Sequence, residues 1–412
     1  MTPWLQFAMR NVTRNVRRTL LTAATIVAGT ALVTLALSWL TGVFGSIIAD
    51  STAGTGHLRL VTKNFAARES LQPLYENIAD AAPVIAAIRR VPGVVAVEPR
   101  IATGVVLSVG EEIGDNFAQA VGGSAVFFQD YLKGPQKVLA GTWLSGAPKE
   151  VVLGRKLTEQ LHAQVGDNVL LLGQTQDGSL SSIGARMVGV VGGDALLDQQ
   201  ALLNLEDARY LTDMAGGALE ILVWTRSLEP AAIEPVVQRL RDVPALAGLA
   251  VQPWYEREPL ASMLPLLGAI KLFIQSLIVF MAALAIFNTM TMSVLERTTE
   301  IGVLRAMGLT RSGAVGLFVL EGVVIGLTGG IGGTLLGAIP AYYFQIHGVT
   351  LAEDMIEKVG AMPLHATIHA QLTSGIMLQS VAIGLLIAVA GSFFPALRAA
   401  AIRPVVAMHA RR

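Results

Sequence analysis

Between two long apolar runs of this chain lies a short segment dense in charge, Glu296-Arg-Thr-Thr-Glu-Ile-Gly-Val-Leu-Arg-Ala-Met-Gly308. Glu296, Arg297 and Glu300 fall within little more than one helical turn, and Ile301, Leu304 and Met307 give the next turns an apolar edge beside Arg305. Charge set between membrane spans is costly unless it sits in water and touches something. The chemistry on offer is therefore recognition, not bond making: a short amphipathic helix that inserts into a groove on a partner. Gly302 and Gly308 permit a sharp reversal of the chain there. A loop that merely orients its flanking spans is the alternative. Orientation needs only bases, however, and this loop also carries acids and apolar residues.

No other constellation offers catalysis. The chain has no Gly-x-x-x-x-Gly-Lys-Ser/Thr phosphate loop, so ATP chemistry must belong to another polypeptide. A glycine-dense run from Gly322 to Gly337 lacks the lysine, lies in an apolar stretch and follows no strand. Its glycines form two helical rows, Gly322-Gly326-Gly330 and Gly329-Gly333-Gly337, the spacing that lets membrane helices approach closely. This predicts packing against a neighbouring span or across a dimer axis. His365 and His369 are four apart but stand outside any His-Glu-x-x-His context, and there is no cysteine, so no metal is expected. No Gly-x-Ser-x-Gly elbow exists.

Ionisable and amide groups within the apolar runs are few. Glu321 is expected either to pair with Arg305 or Arg311 or to snorkel to the interface; Lys271 snorkels or points into the bundle. Asn288 is read as an interhelical hydrogen-bonding group. No chain of acids crosses the membrane, which argues against a proton-driven carrier.

The elements that must hold these residues follow from composition. Hydrophobic residues make up 53% of 412, with mean hydropathy +0.57, too apolar for an ordinary soluble protein. Four stretches qualify as spans: 20–48, 263–295, 314–344 and 372–397. The first holds no charged residue, is too long for a signal-peptide core and reads as a retained anchor. Residues 50–258 carry 24 acids against 17 bases, and the remainder 6 against 13. Those surplus bases flank the spans: Arg10, Arg14, Arg17 and Arg18 before the first, Arg297, Arg305 and Arg311 after the second, Arg398, Arg403, Arg411 and Arg412 after the fourth. Both termini and the loop 296–313 are thereby expected in the cytosol, with 49–262 and the loop 345–371 outside. Leu5, Met9, Val12 and Val16 make residues 1–19 an amphipathic helix on the membrane surface, or else simply a topogenic cluster.

The outer segment alternates like a strand at 57–61, turns helical over 77–91 and resumes as strand at 93–97; strand 219–224, helix 230–243 and strand 249–253 repeat the pattern. Two β-α-β units separated by an insert imply a split, ferredoxin-like lobe, 49–101 with 216–262, around a β-rich lobe, 102–215. Strands are expected at 151–153, 168–172 and 186–191, with a turn at Val165-Gly-Asp-Asn168. The fold class is a polytopic α-helical membrane protein with four transmembrane helices and a large α+β extracytoplasmic domain.

The run from Glu296 to Arg311, with Phe318-Val-Leu-Glu-Gly322, resembles the permease family of MacB, FtsX and the lipoprotein-releasing LolC/LolE proteins. So do the opening Arg10-Asn-Val-Thr-Arg-Asn-Val-Arg-Arg-Thr-Leu-Leu21, the close Pro395-Ala-Leu-Arg398 with Ile402-Arg-Pro404, and the outer Ala140-Gly-Thr-Trp-Leu-Ser145, Glu150-Val-Val-Leu-Gly-Arg155 and Val165-Gly-Asp167. The resemblance covers essentially the whole chain. It implies a type VII ABC transporter permease of the bacterial inner membrane whose periplasmic lobes are termed Porter and Sabre. Its 296–313 segment would be the coupling helix, docking on a cytosolic ATPase present in two copies that binds ATP and Mg. The resemblance also implies a second permease copy or homologue. Work would pass to the outer domain as mechanotransmission. The stretch Gly56-His-Leu-Arg-Leu-Val-Thr-Lys-Asn-Phe65 looks more like the lipoprotein-releasing branch, so lipoprotein or lipid extraction is the expected task. An FtsX-like signalling complex controlling a cell-wall hydrolase, or MacB-like peptide or drug export with a periplasmic adaptor or chaperone, are the alternatives. No nucleic-acid partner, no bound cofactor and no enzymatic activity of the chain itself are expected.

Overall fold

The structure, a computed structural model, describes residues 16–69, 72–110, 116–192, 197–258, 260–295, 298–350 and 367–401. Residues 1–15 of the surface helix expected over 1–19, most of the loop 345–371 with His365, and the tail beyond residue 401 lie outside the described residues, while residues 16–19 open helix Val16–Ala53. Contacts divide the rest into two units, one of residues 16–45, 266–350 and 367–401, the other of residues 46–265.

Apolar composition makes the first unit helical, because backbone groups in lipid have only their own helix to bond to. Helices Val16–Ala53, Leu260–Leu295, Arg311–His347 and Ser374–Ala401 supply spans one to four. Their apolar portions run from 25 to 37 residues, each longer than the roughly 20 a bilayer core requires. Span three is the hub: half of its apolar window is buried, against 11% for span two. Span two meets its own unit along Ala282 and Ile286, while Phe273, Phe280, Met281 and Phe287 stay exposed. Beyond span three, β11 (Val349–Thr350) pairs antiparallel with β12 (Thr367–Ile368), and the Gln371 amide donates to the Ser38 carbonyl of span one at 2.9 Å.

The second unit is built on one ten-stranded sheet. Strands β1 (Leu58–Thr62), β2 (Val94–Val109), β9 (Glu220–Thr225) and β10 (Leu249–Pro253) run in the order β10-β1-β9-β2, all antiparallel. With helix Ala81–Arg89 between β1 and β2, and helix Pro230–Arg241 between β9 and β10, this is a ferredoxin-like β-α-β-β-α-β lobe. Proline at the start of helix Pro230–Arg241 sits where its missing amide costs nothing. Ile88, Ile233, Val237 and Leu240 of the two helices close a core on Leu58, Leu60, Ile221 and Val223.

The helix expected over 77–91 begins only at Ala81. Its apolar periodicity runs on through a cap: the Asp80 carboxylate accepts from the Ala82 amide at 3.2 Å, and Ile78 instead exchanges both backbone bonds with Ala218.

The insert adds β3 (Asn116–Gly123), β4 (Val138–Gly141), β5 (Glu150–Gly154), β6 (Asn168–Gln174), β7 (Leu180–Val191) and β8 (Gln200–Asn204). The pairings β2-β3, β3-β8, β8-β5, β5-β7, β7-β6 and β6-β2 close a ring, so the β-rich lobe is a small barrel. Inward positions Val105, Leu107, Val151, Leu153, Val169 and Leu171 fill it. Strand β2 belongs to both lobes: it pairs with β9 up to Arg100 and with β3 from Arg100 onward. The turn before β6 forms as its composition predicts, with Gly166 at φ +107° and the Gln164 amide donating to the Asp167 carboxylate at 2.8 Å.

Candidate coupling segment and packing faces

After span two ends at Leu295, a nine-residue helix, Thr298–Ala306, leads back towards span three. Glu296 and Arg297 lie outside the described residues, and of Glu300 and Ile301 only the helical backbone is described. The helix closes with a Schellman motif. The Gly308 amide donates to the Arg305 carbonyl and the Leu309 amide to the Leu304 carbonyl, both at 3.1 Å, with Gly308 at φ +99°. Gly308 alone makes the reversal. Gly302, expected to share it, is buried within the helix. Thr310 then caps span three, its hydroxyl accepting from the Gly313 amide at 3.1 Å.

Arg305 reaches sideways, its Nη1 donating to the Ala400 carbonyl of span four at 2.6 Å. Leu304 is half-buried, whereas Val303 and Met307 are 43% and 80% exposed, leaving an apolar edge uncovered. Arg311, the other base considered for Glu321, borders a groove of about 640 Å³ lined by Val315, Val319, Phe393 and Leu397. No atom lies within 4 Å of where a Gly308 Cβ would sit, so substitution there meets strain rather than crowding. Gly308→Val should lower the thermal stability of the detergent-solubilised protein by on the order of 1–2 kcal/mol, and Gly308→Asn by much less, since asparagine tolerates the left-handed region.

The two glycine rows of span three meet two different helices. A Cβ on Gly322 would lie 2.0 Å from the Ser392 Oγ, one on Gly326 2.8 Å from the Ala388 Cβ, and one on Gly330 3.4 Å from the Val381 carbonyl oxygen, all on span four. On Gly329, Gly333 and Gly337 it would lie 2.8 Å from the Ile26 Cγ2, 2.5 Å from the Val27 oxygen and 2.4 Å from the Ala31 oxygen, all on span one. Glu321 is buried at 6% exposure on the same helix. Lys271 sits with its Nζ 6.0 Å from the Phe44 ring centroid of span one, a cation–π distance. Asn288, read as an interhelical hydrogen-bonding group, is exposed on span two and makes no such bond among the described residues.

Sequence reasoning singled out no ectodomain residue, yet the second unit holds a buried charged network. Glu220 on β9 is 3% exposed and takes Arg100 at 2.7 Å. Arg59 forks onto Glu69 at 2.6 and 2.7 Å and stands 3.7 Å from Glu220. Arg257, 6% exposed, donates to the carbonyls of Thr55 and Gly56 at 2.6 and 2.7 Å. The signal was present: one charge inside an otherwise apolar strand, Arg59 in β1 and Glu220 in β9, demands a buried partner.

His57 adjoins this network, its Nδ1 accepting from the Thr225 amide at 3.1 Å. Burial first, then the positive charge of Arg257, lowers its pKa from 6.5 to about 4. An unfolded chain takes up a proton near pH 6.5 that folded His57 refuses until about pH 4, so its contribution is intact above pH 6.5 and declines as pH falls through that window. Thermal unfolding followed from pH 7 to pH 4 should show this decline, and His57→Asn, which keeps an acceptor but cannot titrate, should flatten it.

Known proteins carry the same two parts. A family profile described as the MacB-like periplasmic core domain matches residues 19–243, and one described as the FtsX-like permease C-terminal matches residues 272–404. An uncharacterized ABC transporter permease of Methanocaldococcus jannaschii is 32% identical over 142 residues, 34% of this chain and 33% of that protein, so the match spans only about a third of the relative. The lipoprotein-releasing system transmembrane protein LolC of Neisseria meningitidis serogroup B is 23% identical over 295 residues, 66% of this chain and 68% of its own. The crystal structure of the periplasmic region of MacB from Actinobacillus actinomycetemcomitans aligns with 49% of this chain and 92% of its own at 15% identity and a TM-score of 0.35. With apolar spans and a mixed outer domain in this order, matched by both profiles, the chain belongs to the MacB/FtsX/LolCE family of type VII ABC transporter permeases.

Proposed function

We propose that this permease converts ATP hydrolysis by a separate cytosolic ATPase subunit into conformational work by its periplasmic domain, and that the work is the extraction of a lipoprotein or lipid from the membrane. The observation that carries the reading is the segment between spans two and three. Helix Thr298–Ala306 is held at one side through Arg305 and closed by Gly308, and it leaves Val303 and Met307 uncovered where a partner's groove would take them. Such a knob positions a partner and does no chemistry, in keeping with a chain that lacks a phosphate loop. ATP and Mg would sit on the partner. Both termini and this segment lie in the cytosol, as the arginine-rich flanks favour. The lipoprotein cargo is supported by the likeness to LolC, which reaches 66% of the chain, and by the outer stretch from Gly56 to Phe65.

Purification in mild detergent tests the proposal. An ABC ATPase should copurify, and ATP should release acylated protein or lipid bound to the complex. Copurification of a peptidoglycan hydrolase with no ATP-released cargo would move the assignment to a signalling complex. The absence of any ATPase would refute coupling.

A further inference from the structure

Three charges of the second unit, Arg100, Glu220 and Arg257, converge on the two places where its chain continues into the long apolar helices. Helix Val16–Ala53 is followed directly by Gly54, Thr55 and Gly56, and all three carbonyls are held by arginines. Arg100 Nη1 donates to Gly54, while Arg257 donates to Thr55 at 2.6 Å, to Gly56 at 2.7 Å and to the Thr55 hydroxyl at 3.2 Å. Arg257 also opens the helix that becomes span two: its own carbonyl accepts from the Ala261 amide at 2.8 Å, just inside helix Leu260–Leu295. Arg100 is anchored in turn on Glu220 of the central strand β9, through Nε at 2.8 Å and Nη2 at 2.7 Å. Apolar packing follows the same path, because Leu260 is buried in the ferredoxin-like core with Ile48 and Leu264 packed against it.

Stability alone does not explain such an arrangement. Buried ion pairs repay little of their desolvation cost, and well-packed apolar residues often do as well or better. What bonded guanidiniums supply is fixed geometry, since each planar fork sets both direction and distance to its acceptors. Here those acceptors are backbone oxygens, so it is the path of the chain that is fixed.

We infer that Arg257, Arg100 and Glu220 form a rigid joint that locks Gly54–Gly56 and the start of helix Leu260–Leu295 to the ferredoxin-like sheet, so that the two helix ends belonging to this unit, 46–53 and 260–265, move with the lobe as one body. The joint deepens the proposed function, because an ATP-driven displacement of the helices reaches the lobe only if their ends do not slip. Arg257 and Arg100 are positioning residues. They touch no cargo.

The absence of cysteine allows paired spin labels at Ala49 and Val95, and separately at Glu258 and Val95, in the full chain reconstituted with its ATPase. Ala49 and Glu258 are exposed and Val95 is 59% exposed, so no label replaces a side chain of the joint. Both distance distributions should be narrow, and ATP should not widen them. Arg257→Met should broaden both and cut ATP-driven cargo release about tenfold while the ATPase rate stays within about twofold. Should Arg257→Met fail to fold, Arg257→Lys carries the test: it keeps the charge, yet one ammonium cannot reproduce the fork, so it should broaden the distributions too. Narrow distributions with normal release in whichever variant folds would overturn the joint. The distances can be read without any ATPase, so a permease that binds none would refute the proposed function while leaving the joint to be judged on its own.

Discussion

Gly333→Leu is expected to leave little folded protein in the membrane. A Cβ at this position would stand 2.5 Å from the Val27 carbonyl oxygen, 3.1 Å from its carbon and 2.8 Å from the Thr30 Cβ. Those are mostly backbone atoms of span one, which cannot swing aside as a side-chain tip can. The two spans must separate, and separation uncovers Ile26, which is fully buried beside Ile325 of span three. Overpacking by even a methyl costs about 1–3 kcal/mol in a close-packed interior, and an isobutyl group exceeds what a shift of a few tenths of an ångström can absorb. Gly337, whose Cβ would fall 2.4 Å from the Ala31 oxygen, should behave alike. Gly316 is the control, with no atom within 4 Å of its Cβ position; Gly316→Ala should hold or slightly raise stability through helix propensity. Size-exclusion profiles and thermal unfolding in detergent distinguish these outcomes. A monodisperse Gly333→Leu variant as stable as the parent would contradict the packing described for spans one and three.

Glu300→Arg should abolish stimulation of the partner ATPase while leaving insertion intact. Glu300 lies in the first turn of helix Thr298–Ala306, before the half-buried Leu304 and the exposed Met307. Reversing one charge at a docking surface sets like against like, which costs several kcal/mol when the facing groups are desolvated. Insertion gains if anything, because the change adds a base to a flank already rich in arginine. Glu300→Gln removes the attraction without creating repulsion and should fall between. Reconstituted ATPase rates with and without the permease measure the effect. Normal stimulation in Glu300→Arg would place the docking surface elsewhere.

What could be read from the sequence was set by how local its physical cause is. Apolar runs declare spans, and the spacing of Gly322, Gly326 and Gly330 declares a packing face, because each signal sits within a few turns of one helix. Which helix each row meets is not local, and only the structure separates the span-four row from the span-one row. The two β-α-β units were legible for the same reason. The barrel was not: its closure depends on Gln119 to Gly123 pairing parallel with Gln200 to Asn204, some eighty residues on, and on β2 serving two lobes. The charged joint was half legible. Glu220 puts a charge into an apolar strand, but the partner that makes it tolerable, Arg100, lies 120 residues away in the chain.

Coupling through helix Thr298–Ala306 stands or falls on where Met307 goes. Met307→Cys would be the sole cysteine of the chain, at a position 80% exposed beside the Schellman turn. A thiol-linked photocrosslinker placed there should join the permease to the ATPase polypeptide, with the residue shielded from membrane-impermeant reagents added outside. Labelling from the outer face, or adducts with periplasmic proteins and none with an ATPase, would contradict it.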